Sequence, residues 1–121
     1  MSEILVKRIY DVPGTGDGFR ILVDRLWSRG IKKETACIDL WAKEIAPSAD
    51  LRRWFGHEYE KYEPFATLYK QELDSNAAAT DFAGLCKQHL HTENITLLYA
   101  AKDAKHNNAR VLKDWLTEKL S

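Results

Sequence analysis

Polar residues able to bind anions or move protons gather in three short runs of the 121-residue chain. These are Asp24-Arg25-Leu26-Trp27-Ser28-Arg29, Lys43-Glu44 and Lys102-Asp103-Ala104-Lys105-His106-Asn107. Arg25, Arg29, Lys43 and Lys102 are cations and Asn107 can donate or accept, so these five suit the binding of a ligand, above all an anion. Asp24, Asp103 and His106 carry the acid–base groups and are the catalytic candidates. Each has a structural counterpart. Asp24 with Arg25 or Arg29 suits a structural ion pair, and a carboxylate following an apolar strand calls for a charged partner or several hydrogen bonds. Lys43 and Glu44 point to opposite faces if their strand continues, so at most one meets a site. Asp103 suits the N-cap of a final helix. The residues leave both readings open.

Other patterns carry less. The glycines of Asp11-Val12-Pro13-Gly14-Thr15-Gly16-Asp17-Gly18 run into a strand and lack the Lys-Ser/Thr ending of a phosphate loop, so they read as a turn. His89 and His91 lie two apart, which does not match a helical metal pair, and His57 follows a helix end, where it shapes a loop. No metal and no cofactor is expected. Cys37 and Cys86 lack zinc-site spacing and are expected as free thiols, with Cys86 in an apolar helical stripe where packing suits it.

The elements that must position these residues follow from periodicity. Ile4 to Tyr10 and Phe19 to Val23 read as short strands, and the brief Asp17-Gly18 separator favours pairing them antiparallel. Ile38 to Glu44 reads as a third strand stopped by Pro47. Ser48 suits the cap of a short helix ended by Gly56, and amphipathic helices are expected over Tyr59 to Leu73 and about Thr80 to His91. Ile95 to Ala101 is a nearly unbroken apolar run suited to a central strand covered on both faces, followed by a helix from near His106. Trp54, Phe55, Tyr62, Phe65, Leu98, Leu112 and Trp115 are the expected core. The order implies one α/β domain over residues 1–121, a three-layer sandwich around a small, mostly parallel sheet whose last strand is inserted centrally. If the strands are parallel, the polar runs share their carboxyl edge, where open α/β sheets bind ligands.

Composition bounds the function. Apolar residues make up 45% and charged residues 30%, a globular balance, while eighteen basic and eighteen acidic side chains cancel. No global field gathers nucleic acid or anionic membrane, no run is long enough to span a bilayer, and a cytoplasmic location is expected.

The blocks Asp24-Arg25-Leu26-Trp27-Ser28-Arg29-Gly30, Lys43-Glu44-Ile45-Ala46-Pro47-Ser48, Leu51-Arg52-Arg53-Trp54-Phe55-Gly56-His57 and Tyr99-Ala100-Ala101-Lys102-Asp103-Ala104-Lys105-His106-Asn107 resemble those of the YeaO-like proteins, domains of unknown function. The resemblance runs from about Ile9 to Leu116 and implies a three-layer α/β domain rather than a reaction. Wider relatives often carry a cysteine at the position of Tyr99 and a His-Cys-His-Arg run where this chain has His106-Asn107-Asn108-Ala109. With Tyr99 in place, no Ser/His/Asp or Cys/His nucleophile motif is visible.

The leading expectation is therefore a small-molecule enzyme or binding domain for an anionic ligand, phosphorylated or nucleotide-like. A nucleic-acid-binding regulator would use Arg20, Arg25, Arg29, Lys32, Lys33, Arg52 and Arg53, but Thr80 to His91 lacks the basic character of a recognition helix. A protein-interaction domain would use exposed tryptophans.

Overall fold

Four short strands carry enough β-branched and aromatic residues to form a sheet, and in the computed structural model, which describes residues 2–121, they do so in the order β1-β4-β2-β3. The strands are β1 (Ile4–Arg8), β2 (Phe19–Leu22), β3 (Leu40–Trp41) and β4 (Ile95–Tyr99). β4 pairs in parallel with both β1 and β2, and β2 pairs in parallel with β3. All five residues of β4 are buried, as the apolar run requires.

The expected antiparallel pairing of the first two strands does not occur: β1 and β2 flank β4, and both run parallel to it. The connection 9–18 is long enough for this. Its reach is about 33 Å at about 3.3 Å per residue, roughly twice the length of the strand it must retrace. Gly18 serves that route rather than a hairpin. It has φ 66°, and a Cβ there would fall 2.0 Å from the carbonyl oxygen of Asn94. The same oxygen accepts the amide of Phe19 at 2.8 Å, which starts the register between β2 and β4.

Among the described residues five α-helices accompany the strands: α1 (Lys33–Ala36) between β2 and β3, α2 (Ala49–Phe55), α3 (Tyr62–Asp74) and α4 (Ala77–Leu90) between β3 and β4, and α5 (Asn108–Leu120) after β4. Ser48 caps α2 by accepting the Leu51 amide, and Gly56 ends it in the left-handed region. Alternation divides the sheet's side chains between two faces. Ile21, Val23, Ile95, Leu97 and Tyr99 pack with Phe55, Phe65, Leu73, Phe82, Leu112 and Trp115 in the main core under the long helices. Leu22 and Leu98 join Ile9, Trp27, Ile31 and Trp41 in a smaller cluster on the other face, where an irregular segment containing α1 forms the third layer.

Further expectations change. The third strand shrinks to Leu40–Trp41, because Lys43–Ile45 turn as a 3-10 helix, so Lys43 and Glu44 do not alternate along a strand. Trp54 is not core: it is 42% exposed, lies under the Lys61 ammonium, and leaves the inward face of α2 to Leu51 and Phe55. Tyr62 is half-buried, whereas Phe55, Phe65, Leu98, Leu112 and Trp115 are buried as expected. The final helix starts at Asn108, two residues beyond His106, because Asn107 is its cap.

Two substitutions test this packing. Trp115→Ala removes a buried ring whose Nε1 donates to Asp74 at 2.9 Å, and it should cost about 3–5 kcal/mol in chemical denaturation. Gly18→Ala should destabilise the domain by at least about 2 kcal/mol, because it combines a left-handed φ with a backbone clash. A near-native unfolding midpoint for the latter would refute the close approach of β2 to Asn94.

Candidate functional site

Parallel strands bring all their carboxyl ends to one edge, and the loops that leave that edge enclose a cavity of about 310 Å³. β1 supplies Tyr10, β2 supplies Asp24 to Arg29, β4 supplies Ala100, α2 supplies Arg52 and Phe55, α3 supplies Phe65, and α5 begins with Asn108. The walls are mainly apolar. Phe55 and Phe65 stack with ring centroids 4.3 Å apart, and Pro47 and Leu26 complete the surface around them.

Asp24 is the joint of this site. Its Oδ2 accepts the Ala100 amide at 2.9 Å and its Oδ1 accepts Asn108 Nδ2 at 3.0 Å. Asn108 Nδ2 also donates to Val23 O at 3.1 Å. One carboxylate thus fastens the end of β2 to the end of β4 and the first turn of α5. The expected ion pair is not formed: among the described residues no lysine or arginine nitrogen lies within 4.0 Å of it, and hydrogen bonds from neutral donors meet its desolvation instead. Burial raises the Asp24 pKa above 3.8, opposed by the bonds from Asn108 and Ala100 and by the charges of His57 and Arg52.

Arg25 and Arg29 are exposed at the mouth and Arg52 is half-buried. None of the three forms an ion pair among the described residues, although Arg25 Nε reaches Pro47 O at 3.4 Å. Tyr10 Oη donates to Arg29 O at 2.8 Å and steadies that loop. Ser28 on the wall is 5% exposed, and its hydroxyl has no hydrogen-bond partner among the described residues.

The third polar run lies beside this cavity. Lys102 and Asp103 line a neighbouring hollow with Arg8 and His57, and the two hollows share Tyr10 and Ala100. Asp103 Oδ1 accepts the amides of Lys105 and His106 at 2.9 and 3.0 Å, and its Oδ2 meets His106 Nδ1 at 2.9 Å. The His106 ring stands edge-on to Tyr59 and Tyr62. The Lys105 amide bond, greatest among opposing influences, holds the Asp103 carboxyl below 3.8. Asn107 is buried, accepts the Arg110 amide at 3.0 Å and donates to Asp103 O at 2.9 Å. Asn107, and not Asp103, is the N-cap of α5. Lys43 lies apart, exposed over the Trp41 ring at 4.9 Å. Of the eight candidates, the structure brings Asp24, Arg25 and Arg29 to one cavity and Lys102 and Asp103 to the adjoining one.

Tyr10, Arg52, Phe55 and Asn108 were not among the site candidates, yet they complete the wall. Tyr10 lies two residues beyond β1, so the strand-end rule applied to that strand points to it. Arg52 leaves no such signal, because its place depends on how α2 docks.

Comparison with known proteins adds the relationship. Residues 3–121 match the family DUF488-N3i, described as the inactive DUF488-N3 subclade. The chain is 45% identical over 115 residues to the "Uncharacterized protein YeaO" of Escherichia coli K12, covering 94% of this chain and 96% of the relative. It is 33% identical over 115 residues to "Uncharacterized protein Rv3073c" of Mycobacterium tuberculosis H37Rv, covering 95% and 94% respectively. "Uncharacterized protein Mb3100c" of Mycobacterium bovis matches at the same 33%. No solved structure matches. No helix among the described residues is long and apolar enough to cross a membrane.

The carboxylates should titrate in opposite senses. Asp24, raised in the folded state, favours folding fully below 3.8 and loses that contribution as pH rises through its folded pKa. Asp17 is the reverse: burial raises it, but the Gly14 amide, Lys7 and Arg20 outweigh burial and leave it lowered, so its contribution is present above 3.8 and lost as pH falls. Carboxyl-carbon NMR titration should give an Asp24 midpoint above 3.8 and an Asp17 midpoint below it. An Asp24 midpoint below 3.8 would show that its hydrogen bonds outweigh its burial.

Proposed function

As the chain belongs to the inactive DUF488-N3 subclade, the family of the YeaO-like proteins, we propose that it is a binding domain for a small anionic molecule with an apolar body. The observation that carries this reading is the cavity at the carboxyl edge, where Arg25, Arg29 and Arg52 surround an apolar wall and are engaged in no ion pair among the described residues. Guanidinium groups left without carboxylates offer paired N–H donors to a phosphate or carboxylate. A wall of Phe55, Phe65, Pro47 and Leu26 shields those bonds from water and receives an uncharged body.

Binding is favoured over catalysis by the state of the acid–base groups. Asp24 accepts the bonds that hold three elements together, and the His106 ring is packed edge-on against two tyrosines. Cys86 is buried and its thiol is pushed up to about 12 by desolvation, which leaves it without nucleophilic thiolate near neutral pH. The family description as inactive accords with this.

The nucleic-acid alternative draws less support. Arg20, one of the cations it needs, is 4% exposed and bound to Asp17, and Arg53 is paired with Asp50.

Titration with phosphate monoesters, followed by backbone NMR, should perturb residues 24–29 and 52 at millimolar ligand. Arg29→Ala and Arg52→Ala should each weaken binding roughly 10-fold to 100-fold, the range for loss of a hydrogen bond to a charged group. Silence across both segments, with Lys102 to Asn107 equally unmoved, would overturn the reading.

A further inference from the structure

The cavity carries charges of two signs. Arg25 and Arg29 are exposed in its lining, while Asp24 in the same lining is half-buried, and no lysine or arginine of the protein lies within 4.0 Å of that carboxylate among the described residues. A carboxylate offers about four acceptor positions. In Asp24 each oxygen accepts one bond, from Ala100 or from Asn108, so each keeps a further lone pair. A ligand anionic throughout would leave those positions unmet and set like charges close together. A ligand with N–H donors at its inner end would satisfy them. The wall beside Asp24 is aromatic and apolar, suited to the faces of a flat ring, and the buried Ser28 hydroxyl has a bond to give or accept.

We propose that the cavity takes an amphoteric ligand of the nucleoside monophosphate class, its phosphate toward Arg25, Arg29 and Arg52 and the N–H edge of its base toward Asp24. This rests on the anion-binding reading above and names the ligand class of the same site. The volume of about 310 Å³ favours a single nucleotide over a dinucleotide. A base with two adjacent N–H donors, such as guanine, matches the two oxygens of a carboxylate better than a base with one.

Isothermal titration of the whole chain with guanosine 5′-monophosphate, ribose 5-phosphate and guanosine tests it. The nucleotide should bind at least 10-fold more tightly than ribose 5-phosphate. Asp24→Asn should abolish the preference for the nucleotide over ribose 5-phosphate, whereas Arg29→Ala should weaken both phosphates. Asp24→Asn can also loosen the fold, so the comparison among ligands on the wild type stands by itself, together with a shift of the Asp24 carboxyl carbon on adding the nucleotide. Equal affinity for nucleotide and ribose 5-phosphate, with that carbon unmoved, overturns the amphoteric ligand while leaving the anion site intact. Failure of both phosphates to bind overturns the anion site and this proposal with it.

Discussion

β4 is buried on both faces and hydrogen-bonded in parallel on both edges, and nearly every other feature follows from that position. A strand of this kind needs neighbours on either side that run in its own direction. The chain must therefore leave β1 at one end of the sheet, travel back, and begin β2 at the other. Asp17 makes that return stable. Its carboxylate collects Lys7, Arg20 and the Gly14 amide, and its carbonyl accepts the Thr96 hydroxyl at 2.7 Å from β4. Arg20 passes the constraint onward by donating to Cys37 O and Ala36 O at 3.0 and 3.1 Å, which fixes the end of α1. A buried pair of this sort contributes little against an apolar replacement, but losing one partner strands the other charge.

The same arrangement explains why the two ends of the sheet differ. On the face away from the long helices, Lys7, Arg20 and Thr96 gather around Asp17, while Ile9, Leu22 and Leu98 form an apolar cluster farther along the strands. Beyond that cluster the chain turns outward and polar residues reappear as Asp24 and the arginines. Asp24 closes this edge as Asp17 closes the other, with a difference in chemistry. Asp17 is met by cations, whereas Asp24 is met by a backbone amide and an asparagine, so the edge that holds the cavity keeps its arginines unpaired among the described residues.

Local patterns made much of this legible. The apolar content of β4, the Ser48 cap and the Gly56 stop depend on neighbouring residues and were readable as such. The strand-end rule placed Asp24, Arg25 and Arg29 at the carboxyl edge without needing the strand order. The direction of β1 was not readable, because Asp17-Gly18 satisfies hairpin chemistry equally well, and only the approach of Asn94 from the far end of the chain shows what Gly18 is for. The cap of α5 was misplaced because Asp103 and Asn107 are both good caps, and the choice falls to the residue that also reaches Asp103 O and the Arg110 amide. Arg52 and Phe65 entered the cavity through helix docking, which no short window of sequence records.

Asp103 and His106 bear on what the edge can do. A carboxylate on Nδ1 is the arrangement that orients a histidine for proton transfer, and proton transfer requires a partner at the other nitrogen. The edge-on rings of Tyr59 and Tyr62 confine the imidazole. Tyr99 is buried on the core face of β4, and burial pushes its hydroxyl above the usual tyrosine range. On the proposed reading the loops at the sheet edge present a ligand to the arginines and the aromatic wall. The Asp103 turn then serves to order the approach to α5 and thereby Asn108, which holds Asp24 in the wall of the cavity.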